Sequence, residues 1–211
     1  MSDRLAIAPI APADIEQAVR IFFEAFHDNV TRLYGDQPKP DAMVDVWSFA
    51  REVEPGGFLA ARDGSSLLGY ALFTSSVKAL ERRALASGRV FVWALRALSG
   101  SYGIRWDGLA RQFWNKVLFV GGSSSFHTTG DAQLLNIAVA ETARGRGVAT
   151  DLVRAGMDYL AGRGVSEVRL EVLPDNEPAI AAYRAVGFQE RGRLRNVHGE
   201  WLVMTATPTV R

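Results

Sequence analysis

Apolar positions change period several times along the chain, and each change predicts an element. Leu5 and Ile7, with Ile10 less regularly placed, alternate as an opening strand does, and Pro12 with a capping Asp14 announces a helix. Ile15, Val19, Phe22, Phe23 and Phe26 then recur at helical spacing, to about Asn29. After the loop YGDQPKPD, with Asp41 as cap, Met43, Val46, Trp47 and Ala50 mark a second helix from about Ala42 to Glu52, which EPGG stops. Two short apolar runs around Asp63, Gly64, Ser65 and Ser66 read as a hairpin. Strand alternation returns from Leu134 to Val139, followed by a helix from about Gly147 to Ala161 and a strand from Val168 to Val172. A helix from Glu177 to Val186 and strands at Phe188 and from Trp201 to Thr205 complete the pattern, without an internal repeat.

Residues 77–126 break this order. They hold eight of the 24 Lys and Arg residues but only two acids, Glu81 and Asp107, and eight of the 21 aromatics. That local surplus of +6 leaves about −5 for the rest of the chain. The stretch reads as two or three amphipathic helices inserted into a sheet protein. Its aromatics are open to burial on the core or in a homodimer contact, and RVFVWALRALSG has the make-up of a helix that lies on anionic membrane.

Composition narrows the class further. With 48% hydrophobic and 22% charged residues in 211, the chain has the profile of an ordinary globular protein and length enough for one domain. It contains no cysteine, which removes disulfides, thiolate zinc sites and cysteine nucleophiles. The first residues lack a signal-peptide pattern and no apolar run approaches the ~18 residues of a membrane span, so a cytoplasmic location is expected. Net charge is +1, and neither an RNP-like strand nor zinc-finger spacing is present, so no nucleic-acid partner is expected.

The chemistry concentrates in LLNIAVAETARGRGVATDLV, residues 134–153. A strand turning through glycines into a helix gathers unpaired backbone N–H groups at the positive end of the helix dipole, an arrangement that attracts phosphate. Gly145 and Gly147 leave the backbone open to an anion, Arg144 and Arg146 add charge, and Thr150 offers a hydroxyl. A plain solvent-facing turn has the same residues. A P-loop is excluded, because Val148 and Ala149 follow Gly147 where Lys and Ser or Thr are required; the dinucleotide pattern fails at its third glycine, where Thr150 stands.

Here the sequence resembles the GNAT superfamily of acyl-CoA-dependent N-acetyltransferases. Arg144, Gly147 and Ala149 match its Arg/Gln-x-x-Gly-x-Gly/Ala signature, LLNIAV precedes it, and NEPAIAAYRAVGF begins 29 residues after Gly147. The resemblance spans about 4–76 and 132–206 and leaves out the insertion. It implies an α/β (α+β) fold: a mixed, mostly antiparallel sheet splayed between its fourth and fifth strands, helices on both faces, and the helical insertion between the third and fourth strands. It implies acetyl-CoA or another acyl-CoA in the splay. Amides of Gly145, Arg146, Gly147, Val148, Ala149 and Thr150 would hold the pyrophosphate, and the backbone of Ile137, Ala138 and Val139 would pair with the pantetheine arm. Asn176 would cap the last helix beside the cofactor.

Acyl transfer to an amine needs a neutral nucleophile, a stabilised oxyanion and a protonated leaving thiolate. Tyr183 matches the family tyrosine near the thioester sulfur and is the candidate general acid, although its spacing with Ile180 and Val186 equally suits a core aromatic. Where some members carry a glutamate as base, this chain has Gln133, which cannot accept a proton. Asp131, His127 and Glu171 are the remaining candidates, alongside a water relay. The acceptor would be a small-molecule or peptide amine, anionic or aromatic if 77–126 forms a lid over its pocket. A non-catalytic acyl-CoA-binding module with the same fold is the alternative, and Gln133 is what supports it.

Overall fold

The computed structural model describes residues 5–27, 39–102, 130–196 and 199–209. Its strands are β1 (Ala6–Pro9), β2 (Phe58–Asp63), β3 (Ser66–Thr74), β4 (Ala132–Val139), β5 (Val168–Val172), β6 (Gln189–Asn196) and β7 (Gly199–Ala206). Its helices are α1 (Ile15–Ala25), α2 (Asp41–Val53), α3 (Val77–Ala86), α4 (Arg89–Leu98), α5 (Val148–Gly162) and α6 (Glu177–Arg184). The seven strands form one sheet in the order β1-β2-β3-β4-β5-β7-β6, antiparallel at every step except β4 to β5. This is the expected fold class, with α3 and α4 standing between the third and fourth strands.

Each face of the sheet carries its own core. On one face α5 and α6 pack Val148, Leu152, Leu160, Ile180 and Tyr183 against Phe73, Leu134, Leu170 and Met204. Gly156 permits this close seat, because a Cβ there would lie 2.0 Å from the Phe73 ring. On the other face α1 to α4 gather around Trp47, Phe58 and Tyr70, whose rings meet at centroid distances of 4.8 to 6.0 Å. The alternating strand pattern and the helical stripes thus serve two separate layers.

Several expectations about caps and ends need correction. Asp14 occupies the cap position of α1 but makes no capping bond; its buried carboxylate pairs with Arg62 instead. Asp41 is the first residue of α2, with Pro40 at the cap. Helix α1 closes at Ala25, and Asn29 lies outside the described residues. The helix predicted to Val186 ends at Arg184, where the turn into Gly187 begins, with φ +100°.

The insertion is docked in register. Asp45, Phe49 and Glu52 on α2 face Arg96, Trp93 and Arg89 on α4, through an ion pair, a ring contact of 5.4 Å and an ion pair of 3.0 Å. The spacings run in opposite directions along the two helices, so α4 lies antiparallel on α2. Trp93 is buried by this contact, while Phe91, Leu95 and Leu98 point outward and are largely exposed. Residues 103–126 of the insertion lie outside the described residues.

A buried carboxylate ties the sheet to α2 and α5. Glu54 accepts from Thr74 Oγ1 at 2.7 Å, from the Ser75 amide at 2.9 Å and from Tyr159 Oη at 3.1 Å. Nothing in the sequence marked it, since its partners lie 20 to 105 residues away.

Candidate functional site in the forked sheet

Strands β4 and β5 pair only at Ala132 with Val168 and Gln133 with Arg169. Beyond these two pairs they diverge, leaving the edge of β4 from Leu134 to Val139 without β5 as a partner. β5 turns to β7 on its other side, pairing along its full length from Val168 to Val172. The open edge offers main-chain groups to an extended ligand, as a sheet edge does to an added strand.

At the far end of β4 the chain makes a single 3-10 turn (Glu141–Ala143), reverses through Gly145 and Gly147 with φ of +74° and +79°, and enters α5. Ala143 and Val148 anchor the turn by burying their side chains in the core, and the exposed residues between them project outward. The first four amides of a helix have no internal acceptor, and here the glycine cap supplies no side chain. None of the amides of Gly145, Arg146, Gly147, Val148, Ala149 and Thr150 has an acceptor among the described residues. A Cβ added at Gly145 or Gly147 would meet no atom of the described residues within 4 Å, so neither glycine is packed against another element on that side. Arg144 is exposed without a partner among the described residues, and Arg146 reaches Asp63 at 3.4 Å. A run of donors with adjacent cations has the chemistry that attracts an anion.

The other expected residues fall into two groups. Ile137 and Val139 pack toward the α5 face, and Ala138 toward the opposite one. Asn176 caps α6, its Oδ1 accepting from the Ala179 amide at 3.3 Å. Tyr183 lies on α6 over the α5-side core, its ring 5.9 Å from that of Phe188. Burial pushes its phenol up to about 12, so it keeps its proton through the neutral range.

The carboxylates separate by role. Asp131 Oδ2 accepts from the Lys78 amide at 2.8 Å and Ser76 Oγ at 3.1 Å, tethering the start of α3 to the entry of β4. Glu171 stands on β5 just past the fork, on the face opposite Leu170, and pairs with Arg169 at 2.7 Å. His127 lies outside the described residues. Gln133 sits at the fork itself.

Two features escaped sequence reasoning. Leu135 is an extra residue in β4: Leu72 pairs with Asn136 and Phe73 with Leu134. This bulge turns Asn136 to the Tyr70 side, where the Tyr70 hydroxyl donates to its Oδ1 at 2.6 Å. The available signal was a lone polar residue inside the apolar run LLNIAV.

Comparisons with known proteins agree with this geometry. The model of the acetyltransferase (GNAT) family matches residues 17–188. A mycothiol acetyltransferase of Nocardioides sp. is 50% identical over 52 residues, 25% of this chain and 18% of that protein. N-alpha-acetyltransferase 30 of Schizosaccharomyces pombe is 37% identical over 67 residues, 32% of this chain and 45% of that protein. These curated relatives are therefore matched over less than half their length. Among solved structures, SsHAT superposes with a TM-score of 0.70 at 22% identity, over 97% of this chain and 98% of that one. A putative acetyltransferase from Salmonella typhimurium, solved with its cofactor acetyl-CoA, superposes with a TM-score of 0.60 at 14% identity, over 97% and 94% of the two chains. A forked sheet with a glycine turn at its mouth, matched by the family model over most of the sequence, makes this chain a member of the acetyltransferase (GNAT) family.

Proposed function

We propose that this chain transfers an acyl group, acetyl foremost, from CoA to a primary amine by direct attack in the fork between β4 and β5. The observation that carries the reading is the run of six amides, Gly145 to Thr150, that have no acceptor among the described residues, at the mouth of that fork. These amides would hold the pyrophosphate, with Arg144 and Arg146 adding charge and the Thr150 hydroxyl a further donor. The backbone of Ile137, Ala138 and Val139 would hold the pantetheine arm, and Asn176 would keep α6 in place beside it. The family match and the acetyl-CoA held by the Salmonella neighbour support the donor assignment. The relatives' names divide between mycothiol and N-alpha acetylation, so the acceptor is proposed as an amine of a small molecule or a peptide.

Tyr183 serves as general acid. Its buried phenol stays protonated, and the same desolvation raises the proton affinity of a thiolate leaving beside it. Glu171 serves as base for the ammonium formed on attack, since it stands past the fork on β5, paired with Arg169, whereas Asp131 lies before the fork and holds the start of α3.

Isothermal titration with acetyl-CoA and a CoA-release assay over amino sugars, amino-acid amides and peptides test the reading. Tyr183→Phe is expected to lower kcat about 100-fold while leaving CoA affinity nearly unchanged. Because the folded phenol pKa is raised, its protonated form persists as pH climbs. Wild-type kcat should therefore show no alkaline fall from this group below pH 10, only as pH approaches about 12. Affinity without turnover in both proteins would instead identify a binding module, and no heat with any acyl-CoA would overturn both readings.

A further inference from the structure

A hydrogen bond between Tyr70 and Asn136 joins β3 to β4 where β4 has parted from β5. Tyr70 is fully buried, clamped between Trp47 and Phe58, in the middle of a core that phenylalanine would fill as well. Its hydroxyl needs a partner there, because a buried donor left unmet is destabilising. The partner comes from β4, and it comes from the segment that has already parted from β5. The bulge at Leu135 is what delivers it: without the extra residue, regular alternation from Leu134 would aim Asn136 into the α5-side core.

The hydrogen bond also sets the orientation of the amide. Burial keeps the Tyr70 phenol protonated, and its hydroxyl donates to Asn136 Oδ1 at 2.6 Å. The NH2 group is then directed away from Tyr70. It has no acceptor among the described residues, and Asn136 is only half-buried. The donor is held on the strand that lines the fork, past its last pair with β5. It suits a site where negative charge develops during reaction.

We propose that Asn136 Nδ2 donates to the oxygen of the acyl carbonyl as the amine adds, and that Tyr70 is a positioning residue that fixes this amide. The inference rests on the acyl-transfer reading above. In the step, the amine nitrogen bonds to the carbonyl carbon and the C=O π pair moves onto oxygen, where Nδ2 stabilises it. Collapse re-forms C=O and breaks C–S; the thiolate takes the Tyr183 proton, and the ammonium proton passes to Glu171. Asn136 exchanges no proton.

The test compares wild type, Asn136→Ala, Asn136→Asp and Tyr70→Phe with acetyl-CoA and the best acceptor of the amine panel. Removing the donor should lower kcat of Asn136→Ala about 100-fold, with KM for both substrates and Kd for free CoA within about threefold, since CoA has no acyl carbonyl. Asn136→Asp, which replaces the donor by an anion, should be at least as slow. Tyr70→Phe should lose about 3- to 10-fold in kcat, again without change in CoA affinity. Unchanged kcat in Asn136→Ala overturns the proposal. So does a rise confined to acceptor KM, which would make Asn136 an acceptor-binding group, and so does a parallel loss of CoA affinity, which would make the pair a structural prop. A wild type that binds CoA but acylates no amine overturns the acyl-transfer reading and this inference together, whereas turnover with an indifferent Asn136 overturns this inference alone.

Discussion

Helices α4 and α5 begin with the same local geometry and are used differently. Each starts after a glycine in the left-handed region, Gly88 at φ +72° and Gly147 at φ +79°, and neither has a side-chain cap. Each has arginines close by. At α4 the arginine at the start, Arg89, is already spoken for by Glu52, as is Arg96 in the last turn by Asp45, and the helix is laid on α2 along three matched contacts. At α5 Arg144 has no partner among the described residues, Arg146 has only a 3.4 Å contact, and six consecutive amides have no acceptor. The difference lies in what the acids of neighbouring elements have claimed. A glycine-capped helix start with arginines is a docking joint in one place and the proposed anion site in the other, and the fold decides which.

The docking side breaks most sharply at Trp93. Its ring is buried edge-on against Phe49, so Trp93→Ala should cost about 3–5 kcal/mol of stability, in the range for large aromatic truncations. Chemical denaturation gives the stability, and titration with CoA at a temperature where the variant is folded gives the affinity, which should stay at the wild-type value. An affinity loss that follows the stability loss would show that α4 acts on the fork as a lid, and the two helix starts would no longer be independent.

A matched trio of glycine variants sharpens the same point. Gly88→Ala, Gly145→Ala and Gly147→Ala each place an L residue at positive φ, with no atom within 4 Å to clash with the new methyl. All three should therefore lose a similar ~1–2 kcal/mol of stability from backbone strain. Only the α5 pair should lose CoA affinity, about 100-fold for Gly145→Ala combined with Gly147→Ala, the equivalent of two charge-assisted hydrogen bonds. Equal affinity in all three would remove the amides from the binding site.

Local signals carried the parts of this molecule that depend on neighbours in sequence. The glycine turn, the strand before it, the Asn176 cap and the order of elements were legible because period, turn chemistry and helix propensity act over a few residues. Contacts between distant segments were not. Asp131 reads from its place on the strand as a base candidate, yet it holds the start of α3, 53 residues earlier in the chain. Glu54 and its partners, the bulge at Leu135 and the three-contact register of α4 on α2 depend on which strands and helices become neighbours. Arg169 and Glu171 lie between these cases: their i, i+2 spacing puts them on one strand face, and only the fork shows which cleft they border.

The arginines give the smallest effect and the most direct test of what the neighbours have claimed. Arg89→Ala removes one arm of an ion pair whose side chains are 41% and 54% exposed, and such pairs contribute about 0.2–1 kcal/mol. It should lower stability by no more than that and leave CoA affinity alone. Arg144→Ala combined with Arg146→Ala should do the reverse: stability nearly constant, because one has no partner among the described residues and the other is only weakly held, and CoA affinity down about tenfold at low salt. Raising ionic strength should shrink that tenfold difference, since both groups are exposed and screening acts on them more than on the amides behind. A salt-insensitive loss would mean that the arginines shape the turn. Asp63→Asn provides the converse: releasing Arg146 from its 3.4 Å contact should tighten CoA binding slightly. No change of this kind is expected from Glu52→Gln at α4, where the freed arginine faces no ligand.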